Sequence, residues 1–157
     1  MITINKIGIE ILSKNIFIIP IITSTALTTI GFDALVSIPP FLDSSIQNYV
    51  ISKWFKIYFN RSVFTIISLG TISTISGTYA WINNYGSLYG LGAFLSGIHF
   101  SFVPLIMYKV KDIIEEKGDT KEIIKKWLNI HKIRLISDTI STICFGIALA
   151  KYVKQLK

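Results

Sequence analysis

Charged residues are scarce in this chain, and their distribution is as informative as their number. Only 16% of the 157 residues are charged, whereas soluble domains average about 25%. Asp33 is the single charge between Ile16 and Ile38, and residues 62–108 carry none apart from His99 when it is protonated. These tracts exclude an ordinary soluble domain. They match the roughly 20 apolar residues that one helical crossing of a bilayer requires.

Cysteine pairs and cofactor signatures are also lacking. Cys144 is the only cysteine, which excludes an internal disulfide and any CxxC metal or redox pair. The sequence has no Walker loop, no GxGxxG after a strand, no HExxH, no GxSxG and no c-type haem motif. Its two histidines and its aspartates within the apolar runs show no metal-ligand spacing. We therefore predict neither a cofactor nor a metal site.

Four apolar runs are present instead. They predict transmembrane helices at about residues 16–38, 62–82, 87–108 and 133–152, in a single domain covering residues 1–157. The pair Pro39–Pro40 ends the first run, because the residue before a proline is disfavoured in the α region. The uncharged turn Asn83–Gly86 is short enough only for a tight hairpin, so the second and third helices are antiparallel neighbours. The predicted fold class is an all-α integral membrane bundle of four transmembrane helices.

The segments between the runs are amphipathic. In residues 41–60, aromatic residues alternate with lysines, as is typical of the lipid headgroup level. In residues 109–130, isoleucines recur at helical spacing and Gly118 interrupts them. Both loops are predicted to form short amphipathic interfacial helices. Residues 1–15 predict a further interfacial helix or a disordered lead-in, retained because transit-peptide arginines and a clear cleavage site are missing.

The net charge of +7 comes mostly from basic residues that flank the apolar runs. This placement favours contact with the lipid bilayer over nucleic acid binding, which we do not predict. Loops 39–61 and 109–134 hold most of the sixteen Lys and Arg residues, and the side with both termini holds only Lys6, Lys14, Lys151, Lys154 and Lys157. The positive-inside rule predicts that these two loops are cytosolic and that both termini are lumenal or outside. The sequence does not indicate which membrane.

The last helix carries the densest set of candidate site residues. Trp127, His131, Arg134 and Asp138 follow a 4, 3, 4 spacing, which places them on one helical face. A lone carboxylate within an apolar run costs about 2.5–3.5 kcal/mol at a helix centre, so Asp138 needs a partner, and Arg134 is the nearest. The pattern predicts either a ligand-binding face or an Arg–Asp pair that only anchors the helix.

His99 is the second candidate, since it is the only histidine inside a long apolar run. A buried imidazole needs partners for its nitrogens. A hydroxyl of the second helix, Asp33 or Asp138 could supply one. Imidazole titrates near neutral pH and can act as a general base. The alternative is a polar residue satisfied inside the bundle, with no chemical role.

Four sequence elements carry a resemblance to a known family. They are Ile38-Pro39, Trp54-Phe55-Lys56-Ile57-Tyr58-Phe59, Phe102-Val103-Pro104-Leu105-Ile106-Met107, and Trp127-Leu128-Asn129-Ile130-His131-Lys132-Ile133-Arg134. In this order they resemble the fungal and bacterial anthrone oxygenase-like family of small four-span membrane proteins, long catalogued as a domain of unknown function. The resemblance covers about residues 16–152. One departure is Tyr108–Lys111, where the family often has Pro-Thr-Asn.

The resemblance implies a four-span fold and, for some members, oxidation of an anthrone to an anthraquinone by O₂ without metal or flavin. His99 or Asp138 would then be the base, and Arg134 and His131, beside Trp127, would bind the substrate. The alternative is a non-enzymatic assembly or scaffold subunit whose Ser, Thr and Gly faces bind partner transmembrane helices. Whether the protein is an enzyme stays open at this point.

Overall fold

The computed structural model of the protein describes residues 16–155, and the segment predicted as an interfacial helix or lead-in, residues 1–15, lies outside the described residues. The described part is helical from end to end, with short turns between helices. Four of its helical segments are long and apolar enough to cross a membrane: Ile16–Leu42, Asn48–Ile82, Ser87–Ile114 and Thr120–Gln155. The predicted all-α bundle with four spans is confirmed, and it has the form of a multi-pass membrane protein.

Five α-helices and three 3₁₀ turns build these spans within residues 16–155. The α-helices are α1 (Ile19–Ser37), α2 (Asn48–Ile82), α3 (Ser87–Ile98), α4 (Val103–Ile114) and α5 (Thr120–Gln155). The 3₁₀ turns are Ile16–Ile18, Pro39–Leu42 and His99–Phe102. The spans run up, down, up and down. We call the end with loops 43–47 and 115–119 the basic end, and the end with turn 83–86 the hairpin end.

Helices α2 and α5 extend well beyond the predicted spans. They contain 35 and 36 residues, or about 53 Å at 1.5 Å per residue, against about 30 Å for a bilayer core. The amphipathic segments are helical as predicted, but they continue the spans instead of forming separate helices. The reason is packing: Ile51 and Phe55 of α2 and Ile124 of α5 are fully buried in one core at the basic end.

The third span is broken where one continuous helix was predicted. Its helix α3 ends at Ile98, and the 3₁₀ turn His99–Phe102 leads into α4. Pro104 explains the break, because it has no N–H to donate to the carbonyl of Phe100 and its ring clashes with that carbonyl in an α-helix. The sequence contained this signal in the form of Pro104. As a consequence of the break, His99 lies where the third span changes from an α-helix to a 3₁₀ turn.

Two apolar cores lie at opposite ends of the bundle. The core at the basic end is large and includes Ile38, Phe55, Ile113 and Trp127. The core at the hairpin end combines a few aromatic residues with alanines: Phe17, Ala80, Tyr89, Ala93, Phe145 and Ala148. The Tyr89 hydroxyl donates a hydrogen bond of 2.9 Å to the Phe17 carbonyl. Several buried polar side chains lie between these two cores.

One group of these buried polar residues is a row of three serines, which we call the serine layer. The hydroxyls of Ser73 and Ser96 are 3.1 Å apart, and those of Ser96 and Ser141 are 2.9 Å apart. Ser141 then donates to the carbonyl of Gly92 at 2.7 Å. The layer links α2, α3 and α5, and its last acceptor is a backbone carbonyl.

Candidate functional site

A second group of buried polar residues contains every ionisable side chain predicted for the site. His99, His131, Arg134 and Asp138 are 1%, 1%, 6% and 2% exposed, and we call them the ionisable cluster. The 4, 3, 4 spacing turns the α5 members toward the bundle interior. The 3₁₀ turn of the third span presents His99 to them. The structure thus brings together the residues that the sequence singled out.

His99 and Asp138 form the centre of the cluster. The Nδ1 atom of His99 is 3.1 Å from both carboxylate oxygens of Asp138. An ionised carboxylate only accepts hydrogen bonds, so Nδ1–H is the donor. In the neutral ring, Nε2 then carries the free lone pair, and residues 16–155 offer it no hydrogen-bond partner. Of the partners left open by the sequence, the structure selects Asp138.

Arg134 is held by His131 on one side. Its Nη2 donates to Nδ1 of His131 at 2.8 Å, and Nε2 of His131 donates to the carbonyl of Gly31 at 2.9 Å. A carbonyl can only accept, so this chain of bonds fixes the tautomer of His131. The predicted Arg134–Asp138 pair is looser, since Nε lies 3.9 Å from Oδ2 of Asp138. That is an ion-pair distance but not a hydrogen bond, and within residues 16–155 Nε has no hydrogen-bond partner.

Trp127 lies one helical turn before His131, toward the basic end. Its ring stacks on the imidazole of His131 with centroids 4.9 Å apart and planes 6° apart. Phe55 meets the same indole edge-on at 5.4 Å. The indole Nε1 is buried and has no acceptor among the described residues. Trp127 therefore fixes the His131 ring while keeping one unpaired donor.

Two small cavities adjoin the cluster. The histidine cavity, of about 30 Å³, is lined by His99, Arg134 and the apolar side chains of Phe59, Val63, Ile66, Ile67, Val103, Ile106 and Met107. The tryptophan cavity, of about 20 Å³, is lined by Ile30, Ala34, Tyr58, Phe59, Ser62, Ile66, Ile106, Trp127, His131 and Arg134. Four residues line both cavities: Phe59, Ile66, Ile106 and Arg134. The cavities are separated only by side chains.

The histidine cavity reaches the outer surface of the bundle. Ile67 of α2 and Met107 of α4 both line it and are 41% and 45% exposed. Both residues are apolar and lie in spans long enough to cross a membrane. The cavity therefore opens between α2 and α4, on a face that lipid covers when the bundle is in a bilayer.

Asp33 does not join the cluster. It is exposed, and its carboxylate accepts a hydrogen bond of 3.1 Å from Ser37. Tyr58 and the carbonyl of Gly31 are the site residues that sequence reasoning missed. In the sequence, Tyr58 is one of several aromatic residues in the interfacial segment 41–60, and a backbone carbonyl leaves no signal in a sequence. Within residues 16–155, no group of three or more His, Cys, Asp or Glu side chains is close enough to hold a metal ion.

Comparisons with family models, with curated proteins and with solved structures find no match to this chain. Its chemistry is therefore inferred from the geometry of the cluster. An imidazole oriented by a carboxylate, with its second nitrogen at an apolar cavity, is suited to take a proton from a bound molecule. A guanidinium at the same cavity is suited to stabilise the negative charge that results.

Proposed function

We propose that this protein is a membrane enzyme that deprotonates a hydrophobic aromatic substrate, as the resemblance to anthrone oxygenase-like proteins implies. The observation that carries the proposal is the position of His99, hydrogen-bonded to Asp138 through Nδ1 and lining an apolar cavity beside Arg134. A buried base oriented by a carboxylate costs stability in a membrane bundle. Such groups are rare there, and a site role accounts for the arrangement.

His99 is the base in this proposal, and Asp138 is a positioning residue. Both residues were possible bases from the sequence. Asp138 does not line either cavity, and both its oxygens face the His99 Nδ1. The carboxylate selects the tautomer in which Nε2 is free to accept a proton. It also stabilises the imidazolium that forms, as in other oriented His–carboxylate pairs.

Arg134 is the second catalytic residue, because it lines the histidine cavity and carries positive charge. When a proton leaves carbon next to a carbonyl, negative charge moves onto the carbonyl oxygen. A fixed guanidinium at that oxygen lowers the energy of the transition state more than it lowers that of the neutral substrate. His131 positions the guanidinium through the 2.8 Å hydrogen bond.

With an anthrone as substrate, the complete reaction needs only O₂ as co-reactant. His99 takes one proton from the CH₂ carbon, and the enolate's carbon transfers electrons to O₂ and forms a carbon–oxygen bond, giving a hydroperoxide after protonation. Loss of the second proton from that carbon breaks the O–O bond and releases water. The carbon is oxidised from CH₂ to C=O, and O₂ is reduced to one carbonyl oxygen and one water.

The size of the histidine cavity sets a condition on this proposal. At about 30 Å³ it has room for one or two water-sized groups, whereas a three-ring substrate needs a pocket of several hundred Å³. The substrate must therefore displace wall residues such as Phe59 and Met107. Met107 belongs to α4, which follows the 3₁₀ turn His99–Phe102 and packs beside α2 at the lipid-facing opening. A hydrophobic molecule would enter there from the bilayer.

The test is turnover of emodin anthrone by protein purified in detergent, followed by quinone absorbance against a no-protein control for autoxidation. We expect His99→Asn to lower the protein-dependent rate at least 100-fold. Asparagine keeps a donor for Asp138 but has no second basic nitrogen. Ser101→Ala, an exposed position in the same turn, is the matched control and should retain the rate. Equal rates in wild type and His99→Asn would reject His99 as the base.

A second candidate function is a non-enzymatic subunit that binds partner helices. The observation in its favour is a groove of about 500 Å³ between α2 and α3, lined by Thr74, Thr78, Gly90, Ala93 and Gly97 among others. Small residues permit close approach of a second helix in lipid. If this function is correct, Gly97→Leu abolishes a cross-linked complex in membranes, and His99→Asn leaves that complex intact.

We also propose that the basic end is cytosolic, on the positive-inside rule. Lys117→Cys in loop 115–119 and Asn84→Cys in the hairpin turn are exposed positions for thiol labelling, in a Cys144→Ser background. A membrane-impermeant maleimide should label Asn84→Cys in intact cells and Lys117→Cys only after the membrane is opened. The reverse pattern would invert the topology.

A further inference from the structure

Two residues that line the tryptophan cavity, Trp127 and Arg134, each carry a buried donor without an acceptor within residues 16–155. Trp127 is 4% exposed and lines this cavity, and its indole N–H has no acceptor within residues 16–155. Arg134 lines the same cavity with a positive charge. Buried donors are nearly always paired in folded proteins, so this unpaired indole N–H calls for a partner from outside residues 16–155.

Both nitrogens of His131 at this cavity are already engaged. Nδ1 of His131 accepts from Arg134, and Nε2 of His131 donates to Gly31. Ser62 donates to the backbone carbonyl of Tyr58 at 2.9 Å. The remaining wall is apolar. A bound water could donate to the hydroxyl oxygens of Tyr58 and Ser62, whereas an anionic oxygen accepts from the unpaired donors and also meets the positive charge of Arg134.

We infer that the tryptophan cavity is a subsite for one anionic oxygen, a phenolate or a carboxylate, of a hydrophobic ligand. Its volume of about 20 Å³ fits one oxygen-sized group. This inference rests on the proposed function, because Arg134 is shared: one side of it meets the cavity of the base His99 and the other side meets the subsite. The proposed substrates are then aromatic molecules that carry an acidic oxygen at some distance from the carbon that loses its proton.

Phe59, Ile66 and Ile106 separate the two cavities beside Arg134. A planar ligand that displaces the ring of Phe59 would join them. Its acidic oxygen would then lie against Trp127 and Arg134, and its reacting carbon would lie at Nε2 of His99. The indole N–H would set the specificity for the oxygen, because it recognises an acceptor and takes no part in proton transfer.

The subsite is tested by equilibrium binding without turnover, with 2-naphthoate as the anionic probe and 2-naphthamide as its neutral isostere. In bicelles, the ¹⁵N–¹H signal of the Trp127 indole, assigned from Trp127→Phe, should shift saturably with 2-naphthoate. The indole of Trp81, which is 52% exposed near the hairpin end, should not shift. We expect Trp127→Phe to weaken 2-naphthoate binding at least fivefold while it leaves 2-naphthamide unchanged. Trp81→Phe is the matched control.

Two results would overturn the subsite. One is 2-naphthoate binding with no shift of the Trp127 indole, and the other is no preference of the wild type for 2-naphthoate over 2-naphthamide, which would mean that the cavity holds only water. The titration of wild-type protein decides the question even if Trp127→Phe does not fold. His99→Asn should keep 2-naphthoate binding. Binding without anthrone turnover would therefore retain the subsite and reject the proposed reaction, and turnover without binding would do the reverse.

Discussion

The serine layer and the ionisable cluster are both buried against α5, yet they differ in how completely their polar atoms are paired. In the serine layer each hydroxyl has a partner, and Ser141 ends the row on the carbonyl of Gly92. In the ionisable cluster, Nε of Arg134 has no hydrogen-bond partner among the described residues, and the neighbouring indole of Trp127 has none there either. The cluster also borders two cavities, and the serines line neither.

The difference separates a structural layer from a candidate site. A fully paired row of hydroxyls costs little in an apolar bundle and fixes how α2, α3 and α5 meet. A buried ion pair with an unpaired donor lowers the free energy of unfolding, whereas apolar residues of similar size in its place would not. Both groups have residues on the same buried face of α5. This face therefore carries the candidate site residues and, further along the helix, the serine that belongs to the structural layer.

The largest effect should come from breaking the ion pair on one side. Arg134→Leu leaves the Asp138 carboxylate buried with only His99 beside it, so we expect a loss of about 3–5 kcal/mol in the free energy of unfolding. The measurement is reversible unfolding in mixed micelles. The double variant Arg134→Leu with Asp138→Asn removes the uncompensated charge and should recover part of the loss. A single variant as stable as wild type would mean that the pair contributes no net interaction.

Removing one hydroxyl from the serine layer should have a smaller effect. Ser141→Ala leaves Ser96 and the carbonyl of Gly92 without their partner. We expect a loss of about 1 kcal/mol, since hydrogen bonds between membrane helices contribute about 0.6 kcal/mol on average and the orphaned groups add to this. Turnover and 2-naphthoate binding should be unchanged. If Ser141→Ala reduced turnover as strongly as His99→Asn, the separation between the two polar groups would be wrong.

The sequence predicted the cluster better than it predicted its surroundings. Charge-free tracts identified four spans, and helical spacing placed Trp127, His131, Arg134 and Asp138 on one face, because both features are local. The sequence does not determine which residue His99 meets, because that depends on how the broken third span packs against α5. The Gly31 carbonyl and the cavity walls depend on packing between helices, which no local pattern records.

The smallest expected effect on the free energy of unfolding comes from alanine substitutions at two glycines, Gly31 and Gly97. A Cβ at Gly31 would lie 2.6 Å from Cδ1 of Leu135, whereas a Cβ at Gly97 would meet only Cγ2 of Thr74, at 3.7 Å. Replacing a glycine inside a helix by alanine gains about 0.5–1 kcal/mol where space allows. Overpacking costs roughly 1–3 kcal/mol. We therefore expect Gly97→Ala to raise the free energy of unfolding and Gly31→Ala to lower it slightly.

The two glycine variants also differ in what they should do to the site. Gly31 carries the carbonyl that accepts from His131, and His131 positions Arg134. Pushing α1 away from Leu135 lengthens that bond and loosens the guanidinium, so Gly31→Ala should lower kcat severalfold with little change in its pH profile, since the base is untouched. Gly97→Ala should leave kcat unchanged. Equal kcat values in the two variants would show that Arg134 keeps its position without the Gly31 carbonyl.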